Sequence, residues 1–135
     1  MDGATKNTIL VVDDNTDLRK ALSLRLQANG YDVLTAADAF AATTTIVKQK
    51  PSLVILDLGL PCGDGFVVME RLQKRDELAK IPVIVLTGRG KANNMDRALR
   101  AGAVAFFQKP VEDGELLLAI WKALDMPRDR VPVND

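Results

Sequence analysis

The sequence predicts an α/β protein built on a doubly wound parallel sheet. Short apolar runs rich in β-branched residues alternate with longer segments of helical period, which is the pattern of consecutive β-α-β units. A chain of 135 residues with 47% hydrophobic and 27% charged residues suits one globular domain with a proper core. Several of the apolar runs end in a polar side chain, and the carboxyl edge of a parallel sheet is where ligands bind.

The first strand is predicted at about Thr8–Val12 and is followed by a turn. Asn15 or Thr16 can cap the next helix, which is expected to run to Asn29 and to stop at Gly30. Apolar residues four positions apart predict its buried stripe: Leu18, Leu22 and Leu26.

The second and third strands are predicted at about Asp32–Ala36 and Leu53–Asp57. The helix between them, about Ala39–Lys50, contains the β-branched run Thr43-Thr44-Thr45, which has poor helix propensity, although its other residues favour a helix facing the core. The third strand is apolar at every position before its terminal aspartate, as expected of a central strand covered on both faces.

The second half of the chain continues the alternation. Asp64 is expected to cap a helix that runs to about Arg75, and Gly102 is expected to end the fourth helix. We predict a folded domain over residues 1–125 and a tail or linker stub over residues 126–135, where prolines and charges predominate. The remaining elements are predicted as strands Pro82–Thr87 and Ala103–Gln108, and as helices Lys91–Ala101 and Glu112–Leu124.

The overall composition excludes several classes of function. Eighteen basic and eighteen acidic residues cancel, so the domain has no general positive field for nucleic acid or an anionic membrane. The chain has no apolar run long enough for a membrane span, and its single cysteine fits a reducing, cytoplasmic location. The absence of histidine excludes a Ser-His-Asp triad, a histidine metal ligand and a phosphohistidine on this chain.

Four of the predicted strands end in polar residues, and these residues should meet at one edge of the sheet. Asp13 and Asp14 follow the first strand, Asp57 ends the third, Thr87 ends the fourth, and Lys109 follows the fifth. Three carboxylates can form a magnesium site, because Mg²⁺ prefers oxygen ligands. A hydroxyl and an ammonium group beside them can hold a phosphoryl group.

These residues occur in motifs that resemble those of response-regulator receiver domains, over roughly residues 7–125. The resemblance implies a flavodoxin-like (βα)5 fold with a five-stranded parallel sheet of order 2-1-3-4-5. The motifs that carry it are Asp13-Asp14, Leu56-Asp57-Leu58-Gly59-Leu60-Pro61 with Asp64-Gly65, Thr87-Gly88, and Ala101-Gly102-Ala103 leading to Lys109-Pro110.

The resemblance implies that Asp57 accepts a phosphoryl group from a histidine kinase or a histidine phosphotransfer protein. Thr87 and Lys109 would bind the phosphoryl oxygens, and a divalent cation would cancel the repulsion between donor and carboxylate. Such a domain is regulatory rather than an enzyme, with self-catalysed phosphorylation and dephosphorylation at most. The implied Mg²⁺ ligands are Asp14 and Asp57 directly, Asp13 through a water, and the Gly59 carbonyl.

The resemblance also implies a switch. Contact with the phosphoryl group would draw the Thr87 hydroxyl inward, and Phe106 would turn into the vacated space and change the surface of the fourth helix, fifth strand and last helix. Phe106 and Phe107 alternate across the strand, and we choose Phe106 by its spacing from the lysine. The peptide bond before Pro110 is expected to be cis.

The last helix contains six successive apolar residues at positions 116–121, whereas a helix on a sheet needs a single apolar stripe. Some of this run must therefore reach solvent or a partner, and we expect a homodimer or output partner to contact Leu118 and Trp121. The candidates for exposure are Leu116, Leu118, Ala119 and Trp121.

Two other classes of protein fit these residues poorly. A haloacid-dehalogenase-type phosphatase needs a second aspartate at position 59, which is glycine, and an FMN site would suffer repulsion from the acidic loop after the first strand. A phosphorylation-independent docking module remains the alternative. In receiver domains the lifetime of the phosphoryl group is tuned at positions equivalent to Gly59, which leaves a path for water, and Arg89, which can cover that path.

Overall fold

The computed structural model describes residues 7–125; residues 1–6 and 126–135, including the predicted tail, lie outside the described part. Strands and helices alternate along this part. The strands are β1 Thr8–Val12, β2 Asp32–Ala36, β3 Leu53–Leu56, β4 Val83–Thr87 and β5 Ala105–Gln108. The helices are α1 Thr16–Ala28, α2 Ala39–Gln49, α3 Gly65–Gln73, α4 Asp76–Ala79, α5 Asn94–Arg100 and α6 Asp113–Asp125.

The five strands form one parallel sheet in the order β2-β1-β3-β4-β5, which confirms the predicted fold. The register pairs Val12 with Leu56 and Leu56 with Val85, so the central strands end at nearly the same level. Residues that follow those strands are consequently brought together at one edge of the sheet.

Two apolar layers cover the two faces of the sheet. Side chains of α2, α3, α4 and α5 pack on one face, and side chains of α1 and α6 pack on the other. All residues of β3 are buried, as its unbroken apolar run predicted, and all residues of β4 are buried as well. Among residues 7–125, no helix is both long and apolar enough to cross a membrane.

The structure corrects the helix predictions at two places. The third helix ends at Gln73 rather than near Arg75, and a separate turn, α4, follows because the buried Leu78 anchors a segment that is otherwise charged. The fourth predicted helix, α5, starts at Asn94 instead of Lys91, since Asn93 adopts a left-handed φ of 64°. The threonine run stays helical within α2.

Candidate functional site

Three carboxylates converge where β1 and β3 end. One oxygen from each of Asp13, Asp14 and Asp57 lies within 4.8 Å of the others. Asp13 and Asp57 are only 3% and 6% exposed, whereas Asp14 is open to solvent. The backbone N–H of Asp57 donates to the carbonyl of Val12 at 3.0 Å, which ties the two aspartate-bearing loops together.

Lys109 supplies the positive charge of this cluster. Its Nζ lies 2.6 Å from Oδ2 of Asp13 and 3.6 Å from Oδ2 of Asp57. The backbone N–H of Lys109 donates to the carbonyl of Thr87 at 2.8 Å, so the lysine is fixed to the end of β4. The peptide bond to Pro110 is cis, as expected.

The Thr87 side chain is buried at the same edge, with 1% of its surface exposed. Its Oγ1 accepts a hydrogen bond from the backbone N–H of Arg89 at 3.3 Å. Because a hydroxyl is both donor and acceptor, the Thr87 proton is left to donate to an anion in the site.

Besides Lys109, two residues hold Asp13 in place, and neither is among the predicted site residues. The backbone N–H of Asn15 donates to Oδ1 of Asp13 at 2.9 Å. Nη1 of Arg19, one turn into α1, donates to the Asp13 carbonyl at 2.7 Å. The position of Arg19 in the first turn of a helix that follows an acidic loop indicates that it could contact that loop. The direction of the Arg19 side chain, however, depends on the folded turn.

The loop after Asp57 is tightly packed against the start of α3, and this close packing requires a glycine at position 65. The Gly59 N–H donates to Oδ1 of Asp57 at 3.3 Å, and the Gly65 N–H donates to the Leu58 carbonyl at 2.9 Å. A Cβ on Gly65 would lie 2.6 Å from the Asp57 carbonyl oxygen and 2.9 Å from the Leu58 Cα. The Asp64-Gly65 motif therefore places α3 directly against the backbone of the candidate acceptor.

Phe106 and Phe107 lie on opposite faces of β5. Phe106 is 9% exposed and belongs to the apolar layer that contains Ala98 of α5, whereas Phe107 packs against the α1–α6 layer. Phe106 therefore lies on the face of the sheet that α5 covers, as expected for the residue proposed to act in the switch. Val85 of β4 pairs with Phe106, so Thr87, two residues further on, shares that face.

The apolar run of α6 reaches solvent in part, as expected. Leu116 is buried, but Leu118 and Trp121 are 51% and 60% exposed. Trp121 lines a shallow cavity of about 550 Å³ together with Val104 and Ala105, at the edge of the sheet. This apolar surface is well separated in sequence from the acidic cluster and belongs to β5 and α6.

The acidic cluster has the composition of a site for a hard divalent cation. All its candidate ligands are oxygens, the type that Mg²⁺ prefers. Three carboxylates beside one ammonium group leave two negative charges, which one divalent cation would balance. The residues present therefore fit Mg²⁺, with Asp13, Asp14 and Asp57 available to hold it.

Comparison with known proteins agrees with this arrangement. Residues 9–121 match the response regulator receiver domain family. The chain is 36% identical over 124 residues to the DNA-binding dual master transcriptional regulator RpaA of Synechocystis, covering 92% of this chain and 51% of that protein. It is 40% identical over 111 residues to the phosphate regulon regulatory protein PhoB of Pseudomonas aeruginosa, covering 82% and 48%.

Solved structures show the same fold. A CheY-like receiver domain from Methanospirillum hungatei superposes with a TM-score of 0.84 at 31% identity, covering 90% of this chain and 95% of that one. A putative response regulator from Chloroflexus aurantiacus gives a TM-score of 0.86 at 30% identity, covering 90% and 100%.

The fold and the matched residues define the class of this protein: it is a regulatory domain of two-component signalling. The chain belongs to the response regulator receiver domain family. It spans about half the length of the curated relatives it matches.

Proposed function

We propose that this domain accepts a phosphoryl group on Asp57 from a phosphohistidine donor, in a Mg²⁺-dependent reaction. The observation that supports it is the convergence of three carboxylates within 4.8 Å, with the Lys109 ammonium 3.6 Å from Asp57. Such a site carries mutual repulsion that a merely structural edge would not need, and Asp57 is one of its two buried carboxylates.

The reaction proposed is transfer between two negative groups. An Asp57 carboxylate oxygen attacks phosphorus, the P–N bond of the donor breaks, and its electron pair stays with the donor imidazole. Bound Mg²⁺ would neutralise the carboxylates and the phosphoryl oxygens during this approach. Asp13, Asp14 and Asp57 would hold the ion, together with the carbonyl of Gly59.

Lys109 and Thr87 position the phosphoryl group in this proposal. Lys109 already lies between Asp13 and Asp57, so an added phosphoryl group on Asp57 would find the ammonium beside it. The Thr87 hydroxyl, which accepts from Arg89, would donate its proton to a second phosphoryl oxygen. Fixed donors of this kind stabilise the charge spread over the equatorial oxygens.

The proposed signal passes through the face of the sheet under α5. Movement of the Thr87 hydroxyl toward the phosphoryl group would open space on the face it shares with the buried Phe106. Since phenylalanine has no hydroxyl to form a hydrogen bond, packing alone would set the balance between the inward and outward positions of the Phe106 side chain. The surface that changes would be formed by α5, β5 and α6.

That surface offers the exposed Leu118 and Trp121 to a partner, which we propose to be a second copy of the domain or an output domain. RpaA, a relative, is described as DNA-binding. With eighteen charges of each sign, this chain has no basic field of its own, so we assign no nucleic-acid binding to this domain. We place it in the cytoplasm and propose no membrane contact.

The proposal is tested by phosphorylation with phosphoramidate, a small donor whose P–N bond is that of phosphohistidine. We expect phosphoprotein, separated on a phosphate-affinity gel, to form with Mg²⁺ and to be absent with a chelator. Asp57→Asn should form no phosphoprotein, and the matched control is Asp96→Asn, an equivalent change on the exposed side of α5 that should leave the product unchanged. Equal absence of product with and without Mg²⁺ would favour the docking-module alternative.

A further inference from the structure

Three successive peptide groups of the acidic loop between β1 and α1, residues 13–15, are held by hydrogen bonds. The backbone N–H of Asp13 donates to the Ala36 carbonyl at 3.1 Å, and the N–H of Asn15 donates to Oδ1 of Asp13 at 2.9 Å. The peptide group between these two joins Asp13 to Asp14, and Nη1 of Arg19 donates to its carbonyl oxygen at 2.7 Å. Arg19 therefore fixes the link between two of the three carboxylates.

The contact with Arg19 determines how the chain continues into Asp14. The direction of a carbonyl bond sets the direction of the whole peptide plane, because the six atoms from one Cα to the next are coplanar. Asp14 is exposed, and within residues 7–125 its carboxylate forms no hydrogen bond or ion pair of its own. The position of the Asp14 carboxylate thus depends on the backbone of the loop, which Arg19 holds.

Arg19 is itself directed by the start of α1. Its Nη2 lies 3.4 Å from Oγ1 of Thr16, the first residue of that helix. The guanidinium is planar and donates in fixed directions, which suits it to hold two acceptors at once. Lys109 pairs with two of the carboxylates, whereas Arg19 binds a backbone carbonyl and, among residues 7–125, pairs with no carboxylate. Arg19 can therefore support the loop without competing for the oxygens that would hold a metal ion.

We infer that Arg19 is a positioning residue for the metal site, which holds the loop so that the Asp13 and Asp14 carboxylates keep the arrangement that Mg²⁺ requires. This inference rests on the proposed Mg²⁺ site and deepens it. Mg²⁺ demands near-ideal octahedral geometry, whereas Ca²⁺ accepts a more flexible set of oxygen ligands. Arg19 should therefore strengthen the binding of Mg²⁺ and favour Mg²⁺ over Ca²⁺.

The charge of Arg19 by itself predicts the opposite effect. A guanidinium beside the carboxylates repels a divalent cation, so its removal would strengthen Mg²⁺ binding if Arg19 acted only through its charge. If Arg19 acts by holding the loop, its removal weakens Mg²⁺ binding, because the loop must then become ordered when the ion binds. The sign of the change in affinity separates the two mechanisms.

The test is the dissociation constant for each ion, obtained from the rise in melting temperature as Mg²⁺ or Ca²⁺ is added. Loss of a residue that orients metal ligands lowers affinity by roughly 10- to 100-fold. Two other contacts still hold this loop, so we expect Arg19→Met to weaken Mg²⁺ binding by about ten-fold. Ca²⁺ binding should weaken by only about two-fold. Arg19→Lys keeps the charge but not the planar pair of donors, and its affinity should lie between the two.

Lys20→Met is the matched control for the loss of charge. Lys20 is the next residue of α1 and is exposed, and its substitution should leave Mg²⁺ binding unchanged or slightly tighter. Mg²⁺ binding by Arg19→Met that equals or exceeds that of the wild type would overturn the inference, as would an equal loss for Mg²⁺ and Ca²⁺. If Arg19→Met does not fold, Arg19→Lys decides: weaker Mg²⁺ binding at unchanged charge supports the inference, and wild-type binding overturns it.

The rate of phosphorylation by phosphoramidate gives a second readout. In Arg19→Met the rate should be below that of the wild type at low Mg²⁺ and close to it at saturating Mg²⁺, since Asp57 and Lys109 are unchanged. A rate that stays low at saturating Mg²⁺ would contradict a role confined to metal binding. A wild type that binds Mg²⁺ but takes up no phosphoryl group would overturn the proposed function alone. A wild type whose melting temperature does not respond to Mg²⁺ would overturn the metal site and this inference with it.

Discussion

Replacement of Asp14 by asparagine should stabilise the metal-free domain. Lys109 forms ion pairs with Asp13 and Asp57, and none with Asp14 within residues 7–125. Asp14 therefore faces two carboxylates within 4.8 Å without a cation of its own. The amide is nearly isosteric, so the change removes charge while leaving the loop its shape.

The size of the effect follows from the separation. Two unit charges 4.8 Å apart repel by about 0.9 kcal/mol in a water-like dielectric and about 3.5 kcal/mol at an effective dielectric constant near 20. Asp14 is exposed, so the lower figure applies to each of the two carboxylates it faces, and salt and the nearby Lys109 reduce their sum of about 1.8 kcal/mol. We expect a gain of about 1 kcal/mol, which raises the melting temperature by roughly 3–5 °C in a domain of this size.

The same substitution should remove most of the response to magnesium. The wild type should melt at a higher temperature when Mg²⁺ is added, because a ligand that binds the folded state stabilises it. Asp14→Asn should melt at nearly the same temperature with and without Mg²⁺.

Calorimetry at low and physiological salt measures both effects. Asp17→Asn is the matched control, since Asp17 lies outside the carboxylate cluster in the first turn of α1. There we expect a loss of about 0.3–1 kcal/mol from the helix dipole and an unchanged response to Mg²⁺. A lower melting temperature for metal-free Asp14→Asn, or a full magnesium response in that variant, would refute the electrostatic reasoning.

Three further substitutions test packing, charge and surface. Gly65→Ala should cost about 2–3 kcal/mol in urea unfolding, because the new Cβ would meet the Asp57 carbonyl oxygen at 2.6 Å; wild-type stability would contradict that close approach. Lys109→Ala should cost about 2–3 kcal/mol without Mg²⁺, since Asp13 is buried and loses its counter-charge, and added Mg²⁺ should recover part of it. Trp121→Ala should leave unfolding within about 0.5 kcal/mol of wild type and weaken any phosphorylation-dependent self-association seen by sedimentation velocity.

The strands were the part of the fold most accessible from sequence. β1 and β2 have the predicted bounds, because β1 is a compact apolar run and turn residues lie near both ends of β2. α4 is absent from the sequence prediction, since a helix of four residues is too short to show a helical pattern of apolar residues. Its only buried residue is Leu78. The start of α5 was misplaced because the left-handed Asn93 is set by the folded loop.

The candidate site was predictable as a set of residues but not as a network. Strand ends of a parallel sheet meet by geometry, so Asp57 and Lys109 could be placed together before any coordinates. The direct contact of Lys109 with Asp13 joins residues 96 positions apart and depends on side-chain reach. The same holds for Arg89 and Asp64, whose pairing follows from how the loop after β4 lies against α3.

The most direct measurement of the central claim is the intact mass of the domain after incubation with acetyl phosphate, with and without Mg²⁺, for wild type and Asp57→Asn. The claim that Asp57 is the acceptor predicts a gain of one phosphoryl group in wild type with Mg²⁺ only, and none in the variant. A Mg²⁺-dependent gain of equal size in Asp57→Asn would contradict it by placing the phosphoryl group elsewhere, and no gain in the wild type would remove phosphorylation from the function of the domain.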